Sequence, residues 1–177
     1  KVLIVGMDGG TWCQIYSYDQ QTQKITHVKG CPQTIYDSNL VYFPPNDKFY
    51  FVERGSPNKI YEVAVAPLPN QSRTDYSTIT MTEVAMSGIA CNEPDVASGW
   101  KYDSLNKVIG GGIRDNKFYY FDPITKTWGN VPIKIQAGTS NISFTSFHVV
   151  DFDSNKNLWV FLDQLSKYTW VFKFQKP

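Results

Sequence analysis

Four short, mostly apolar triplets recur along the chain, each entered from a lysine or an asparagine: Val2–Ile4 after Lys1, Phe49–Phe51 after Lys48, Val108–Gly110 after Lys107, and Leu158–Val160 after Asn157. Their first residues lie 47, 59 and 50 residues apart. A second set, Ile15–Tyr18, Ile60–Val63, Phe118–Phe121 and Trp170–Lys173, begins 13, 11, 10 and 12 residues after the first. Runs rich in β-branched and aromatic residues, paired across polar turns, predict hairpins. Leu40–Phe43, Trp100–Tyr102 and Phe147–Val150 precede three of the hairpins across the turns PPND, DSLN and DFDSNK. Ile25–Val28, Ile79–Thr82 and a stretch within Trp128–Ile135 follow three of them. The predicted unit is a four-stranded antiparallel meander, with approximate bounds 1–30, 38–86, 98–136 and 145–177 in a single domain over 1–177. The first unit lacks an opening strand and the last a closing one. Helical periodicity is absent, apart from a candidate single turn around Val84–Ala90.

Within the third unit, VIGGGIRDNKFYYFDPITKTW places Gly110, Gly111 and Gly112 in a row. A phosphate loop needs a Lys-Ser or Lys-Thr pair and a helix start after its last glycine, and the polar turn Arg114-Asp115-Asn116 stands there instead. The glycines are therefore read as packing positions on a strand, where a side chain would collide with a neighbouring sheet. Asp122-Pro123 starts a turn, because proline presets the backbone and the aspartate side chain bonds the amides beyond it. Trp128 is expected to pack between sheets.

A repeat of about 50 residues with four strands is the pattern of a β-propeller blade. The third unit resembles the kelch repeat through Gly110, Gly111, Phe121, Asp122, Pro123, Thr125 and Trp128. The first unit matches it weakly through YSYDQQTQKI, and the others keep strand spacing without the diglycine. The resemblance implies an all-β chain, a β-propeller of four-stranded antiparallel blades with three to four blades present. Its ring would be part of a larger propeller or one completed by a partner chain or homo-oligomer. NLVYFPPNDKFYFVERGSPNKIYEV also resembles the haemopexin repeat, which keeps a four-bladed ring open as the alternative.

The chain has 177 residues, 42% hydrophobic, 15% aromatic and 19% charged, enough to bury a core. A formal net charge of +1 supplies no field to draw nucleic acid or an anionic membrane. No apolar run approaches the roughly 20 residues that cross a bilayer, and the opening KVLIVGMDGGTW lacks the apolar stretch of a signal peptide. Cys13, Cys31 and Cys91 leave one thiol over if a disulfide forms, and Cys31 and Cys91 hold corresponding places one unit apart. The sequons at Asn70 and Asn141 favour a secreted or extracellular protein.

Loops on a rigid scaffold carry binding residues, so one rim of the propeller is the expected ligand surface. On that rim fall Trp12, Arg54, Asn92, Glu93, Arg114, Asp115, Asn141 and Gln164. Arg54 and Arg114 occupy matching positions, as solvated turn residues or as a pair that clamps carboxylates from one direction. A catalytic constellation is missing from the pattern. His27 and His148 lie on different strands, and Asp151 and Asp153 belong to a turn that needs no metal. No cofactor or metal is expected, and a copper oxidase of the kelch type is the least supported reading. The expectation is a non-enzymatic module that binds a protein or peptide, with a glycan-binding, lectin-like propeller as the alternative.

Overall fold

The computed structural model describes residues 2–8, 12–30, 39–53, 57–65, 79–91, 99–134, 148–163 and 167–177. The first sheet holds β1 (Val2–Asp8), β2 (Trp12–Asp19) and β3 (Lys24–Gly30). The second holds β4 (Asn39–Phe43), β5 (Lys48–Glu53), β6 (Lys59–Val65) and β7 (Ile79–Glu83). The third is built from β8 (Ser87–Gly88), β9 (Lys101–Asp103), β10 (Val108–Arg114), β11 (Lys117–Asp122) and β12 (Thr127–Pro132), and the fourth from β13 (His148–Asp153), β14 (Leu158–Asp163) and β15 (Thr169–Phe172). From β9 on in the third sheet, and throughout the others, neighbours in sequence pair antiparallel, whereas β8 pairs parallel with β12 at the far edge from β9.

The recurring turns have one local cause. Asp19, Asp103, Asp122 and Asp153 each close a strand, and the Oδ1 of each accepts the amides two and three residues on. Gln23, Lys107, Lys126 and Asn157 then take positive φ one residue before the next strand starts. An aspartate-capped turn followed by a left-handed residue is a common way to join two twisted strands. The turn between β4 and β5 replaces the aspartate by Pro44–Asn46, a single tight helical turn, and ends on Asp47, again with positive φ.

Two cores lie between sheets. Val41, Phe43, Tyr50, Val52 and Ile60 of the second sheet meet Trp100, Ile109, Tyr119, Phe121 and Trp128 of or beside the third. On its opposite face, the third sheet places Val108, Ile113, Phe118 and Tyr120 against Val150, Trp159, Phe161 and Phe174. Phe118 is the hub there, with ring centroids 5.0 Å from Trp159, 5.3 Å from Phe172 and 4.9 Å from Phe174. Burying one such side chain is worth about 1.5–3 kcal/mol, so these two layers hold the sheets in register.

Gly110 to Gly112 make the close approach possible. A Cβ on Gly110 would lie 3.0 Å from the Trp159 ring, and one on Gly112 would lie 2.7 Å from Trp100. Gly111 has φ of +138° at a bulge between β10 and β11, and a Cβ there would strike the Gly99 carbonyl.

The chain is all-β, but the propeller expectation is overturned. The sheets have three, four, five and three strands, are open, and do not close into blades of a ring. Neither the kelch repeat nor the four-bladed haemopexin-like ring survives this count. The third sheet exceeds four strands because residues 84–91 leave the second sheet and cross onto it. Val84 N–H donates to the Ile60 carbonyl at 2.8 Å and Ser87 N–H to the Lys126 carbonyl at 3.1 Å. Those residues form β8 and its flanks and no helical turn, the alternative left open for Val84–Ala90.

Candidate functional site

The fourth sheet has an unusual surface for an antiparallel sheet at the outside of a stack. Register puts Val149 opposite Leu162 and Leu162 opposite Thr169; the next row is Asp151, Val160 and Val171; the third pairs Asp153 with Leu158. These residues share the face turned away from the core. Lys173 follows the end of β15 and is exposed between Phe172 and Phe174, which turn inward; continuing the Trp159–Phe172 register by one residue would set it beside Leu158. Val149 is 65% exposed, Val171 58% and Leu162 49%. Antiparallel sheets with one solvated face normally alternate apolar-in with polar-out. Here both faces of β14 are apolar.

The same face is covered elsewhere in the molecule. Counting from the left-handed residues Asp47, Lys107 and Asn157, the third strand positions are Tyr50, Gly110 and Val160. Tyr50 packs against Phe121 of the third sheet, with ring centroids 6.3 Å apart, and Gly110 faces Trp159 of the fourth. Val160 thus stands where two other sheets each receive a neighbour, and no described sheet lies over it. A contiguous exposed apolar patch rimmed by charges marks an interaction surface more often than it marks ordinary solvent contact.

Of the residues expected on a rim, only Arg114 and Asp115 are described with their side chains. With no closed ring there is no rim, and the propeller-based recognition surface falls with it. Arg114 and Asp115 sit at the β10–β11 hairpin, where Asp115 and Asn116 both have positive φ. Arg114 Nε is 3.9 Å from Asp115 Oδ2, a loose pair on an exposed two-residue turn. Trp12 opens β2, and its side chain lies outside the described residues, as do Arg54, Asn92, Glu93, Asn141 and Gln164 altogether. Cys91 is a buried thiol, while Cys31 lies outside the described residues.

Two polar groups deserve comparison with that face. Asp122 is held by Lys176 Nζ at 2.6 Å and by the amides of Ile124 and Thr125. Burial pushes its carboxyl up, but the lysine and the amides outweigh burial and hold it below the ordinary aspartate value. Tyr61 and Glu53 are both buried, and neither Tyr61 Oη nor Glu53 Oε2 is in hydrogen-bond geometry with a described residue. Burial first, then the nearby Glu53 carboxyl, push the Tyr61 phenol well up, so it stays a neutral hydroxyl. Both are interior contacts of the scaffold. Among the described residues, no group of three His, Cys, Asp or Glu is placed to hold a metal ion.

Set beside known proteins, the chain matches no family model and no curated sequence. Sequence reasoning missed the face on β13–β15; the signal it left is the run Leu158-Trp159-Val160-Phe161-Leu162, apolar at both parities as in a strand buried on both sides.

Proposed function

We propose that the chain is a non-catalytic binding module that works by sheet-face packing, with the outward face of β13–β15 as its surface for a protein partner. The observation that carries this is the exposure of Val149, Leu162 and Val171 together around Val160, whose counterparts Tyr50 and Gly110 on the middle strands of the second and third sheets are covered. Covering apolar area returns about 25 cal/mol per Å², and a rigid sheet loses little conformational freedom when it docks. Arg114 and Asp115 have no part in this surface.

A photoreactive group at Thr169, within the face, tests it. The expected result is an adduct to a polypeptide that disappears when Leu162 and Val171 are both replaced by Lys in a chain that still folds. Labelling that is indifferent to the double substitution, or no polypeptide adduct at all, removes the face as the working surface.

A further inference from the structure

Resting on that reading of the face, we propose that its partner is a second copy of this chain, docked face to face about a two-fold axis that runs along β14. The arrangement of charge on the face selects both the partner and the axis. Its rows are Val149, Leu162 and Thr169; then Asp151, Val160 and Val171; then Asp153 and Leu158, with Lys173 next in line one residue past the end of β15. Acidic groups therefore lie on the β13 side and the lysine on the β15 side, with only aliphatic residues along the middle strand.

Rotation about an axis parallel to the strands lays β13 of one copy over β15 of the other and keeps each row on itself. Leu158, Val160 and Leu162 then meet their own counterparts. Asp153 of each copy falls opposite Lys173 of the other, twice by symmetry. Rotation about an axis across the strands would instead set Asp151 on Asp151 and press Val149 onto Asp153. Both rotations set a carboxylate against an aliphatic side chain, Asp151 on Val171 in the first and Asp153 on Val149 in the second, but only the second puts like charges face to face and forgoes the Asp153–Lys173 pairs. Self-complementary pairing about a two-fold is also the commonest way soluble chains associate. The face continues the stacking already present: β5 and β10 offer the same register positions to the sheets that cover them.

The size of the face sets the strength. Three strands about 4.8 Å apart and five residues at about 3.3 Å each project roughly 250 Å² per copy. Stable complexes use about 800 Å² per partner. The dimer is accordingly weak and reversible, with dissociation in the micromolar range or above.

Analytical ultracentrifugation of the whole chain, followed up to about 1 mM, tests this. The wild type is expected to move from monomer to dimer as concentration rises. Leu162→Lys should leave a monomer throughout. Lys173→Glu, which sets like charges opposite Asp153, should weaken the dimer about tenfold at low salt and less at high salt. Circular dichroism confirms that each variant is folded. A wild type that stays monomeric over the range overturns the second copy as partner. If the Thr169 photoprobe still labels another polypeptide in that case, the binding reading stands alone. A dimer indifferent to Leu162→Lys overturns the face, and one sensitive to Leu162→Lys but not to Lys173→Glu overturns the axis.

Discussion

Asp122 shows how a single carboxylate can tie down a remote segment. It ends β11, caps the turn that follows through two amides, and accepts the ammonium of Lys176 from beyond β15. Its carboxyl is held below the ordinary value, so the folded state binds its proton less readily than the unfolded chain does. The stability this confers is complete above the unfolded value, near 3.9, and is lost as pH falls through the lower folded value. Replacing Lys176 with Met should cost about 1–2 kcal/mol at pH 7 and shift the acid loss to higher pH, because burial is then opposed by the amides alone. Urea denaturation at pH 7 and below pH 4 measures both, and coincident midpoints for the two proteins would refute the role. The aspartate and its turn were readable from Asp122-Pro123, whereas Lys176 was not, since 54 residues separate the partners.

At the scale of elements, the strands were largely legible. The runs from Val2, Phe49, Val108 and Leu158, and their hairpin mates, fall on β1, β5, β10 and β14 and on β2, β6, β11 and β15. Alternation and turn chemistry act over a few residues, so they leave a local trace. The same locality misled the comparison with kelch repeats: a diglycine and an Asp-Pro turn describe a tight hairpin equally well in an open sheet. One turn does more than reverse the chain. Asp103 is fully buried, and besides the amides of Leu105 and Asn106 it accepts Asn106 Nδ2 and Trp159 Nε1, the latter from the next sheet at 3.3 Å. Asp103→Ala should cost about 2–4 kcal/mol by stranding several buried donors, whereas Asp19→Ala, on an exposed turn, should cost about 0.5–1 kcal/mol. Equal losses in chemical denaturation would mean that Asp103 is no more than a turn residue.

For the molecule as a whole, the third sheet is the keystone. Core layers cover both of its faces, β9 lies against both β4 and β13, residues 84–91 add a strand to it, and Asn106 receives the segment after β15 through Phe174 and Lys176. Amide exchange should therefore be slowest in β10 and β11 and clearly faster in β15, an edge strand with one face uncovered. Protection of β15 in the dilute chain equal to that of β11 would contradict this order. A stack built this way grows by covering faces, which is why the uncovered face of β13–β15 is where a partner is expected.

Strand positions, turn types and the all-β character followed from residue order, because each depends on steric and hydrogen-bonding choices made within about ten residues. The number of strands per sheet, the crossing of residues 84–91 onto β12, and the face left open on β14 did not. They depend on contacts between residues far apart in the chain, such as Asp103 with Trp159 and Gly110 with the same ring. A doubly apolar strand announces that both its faces want cover, yet it is silent on which face the rest of the chain will take.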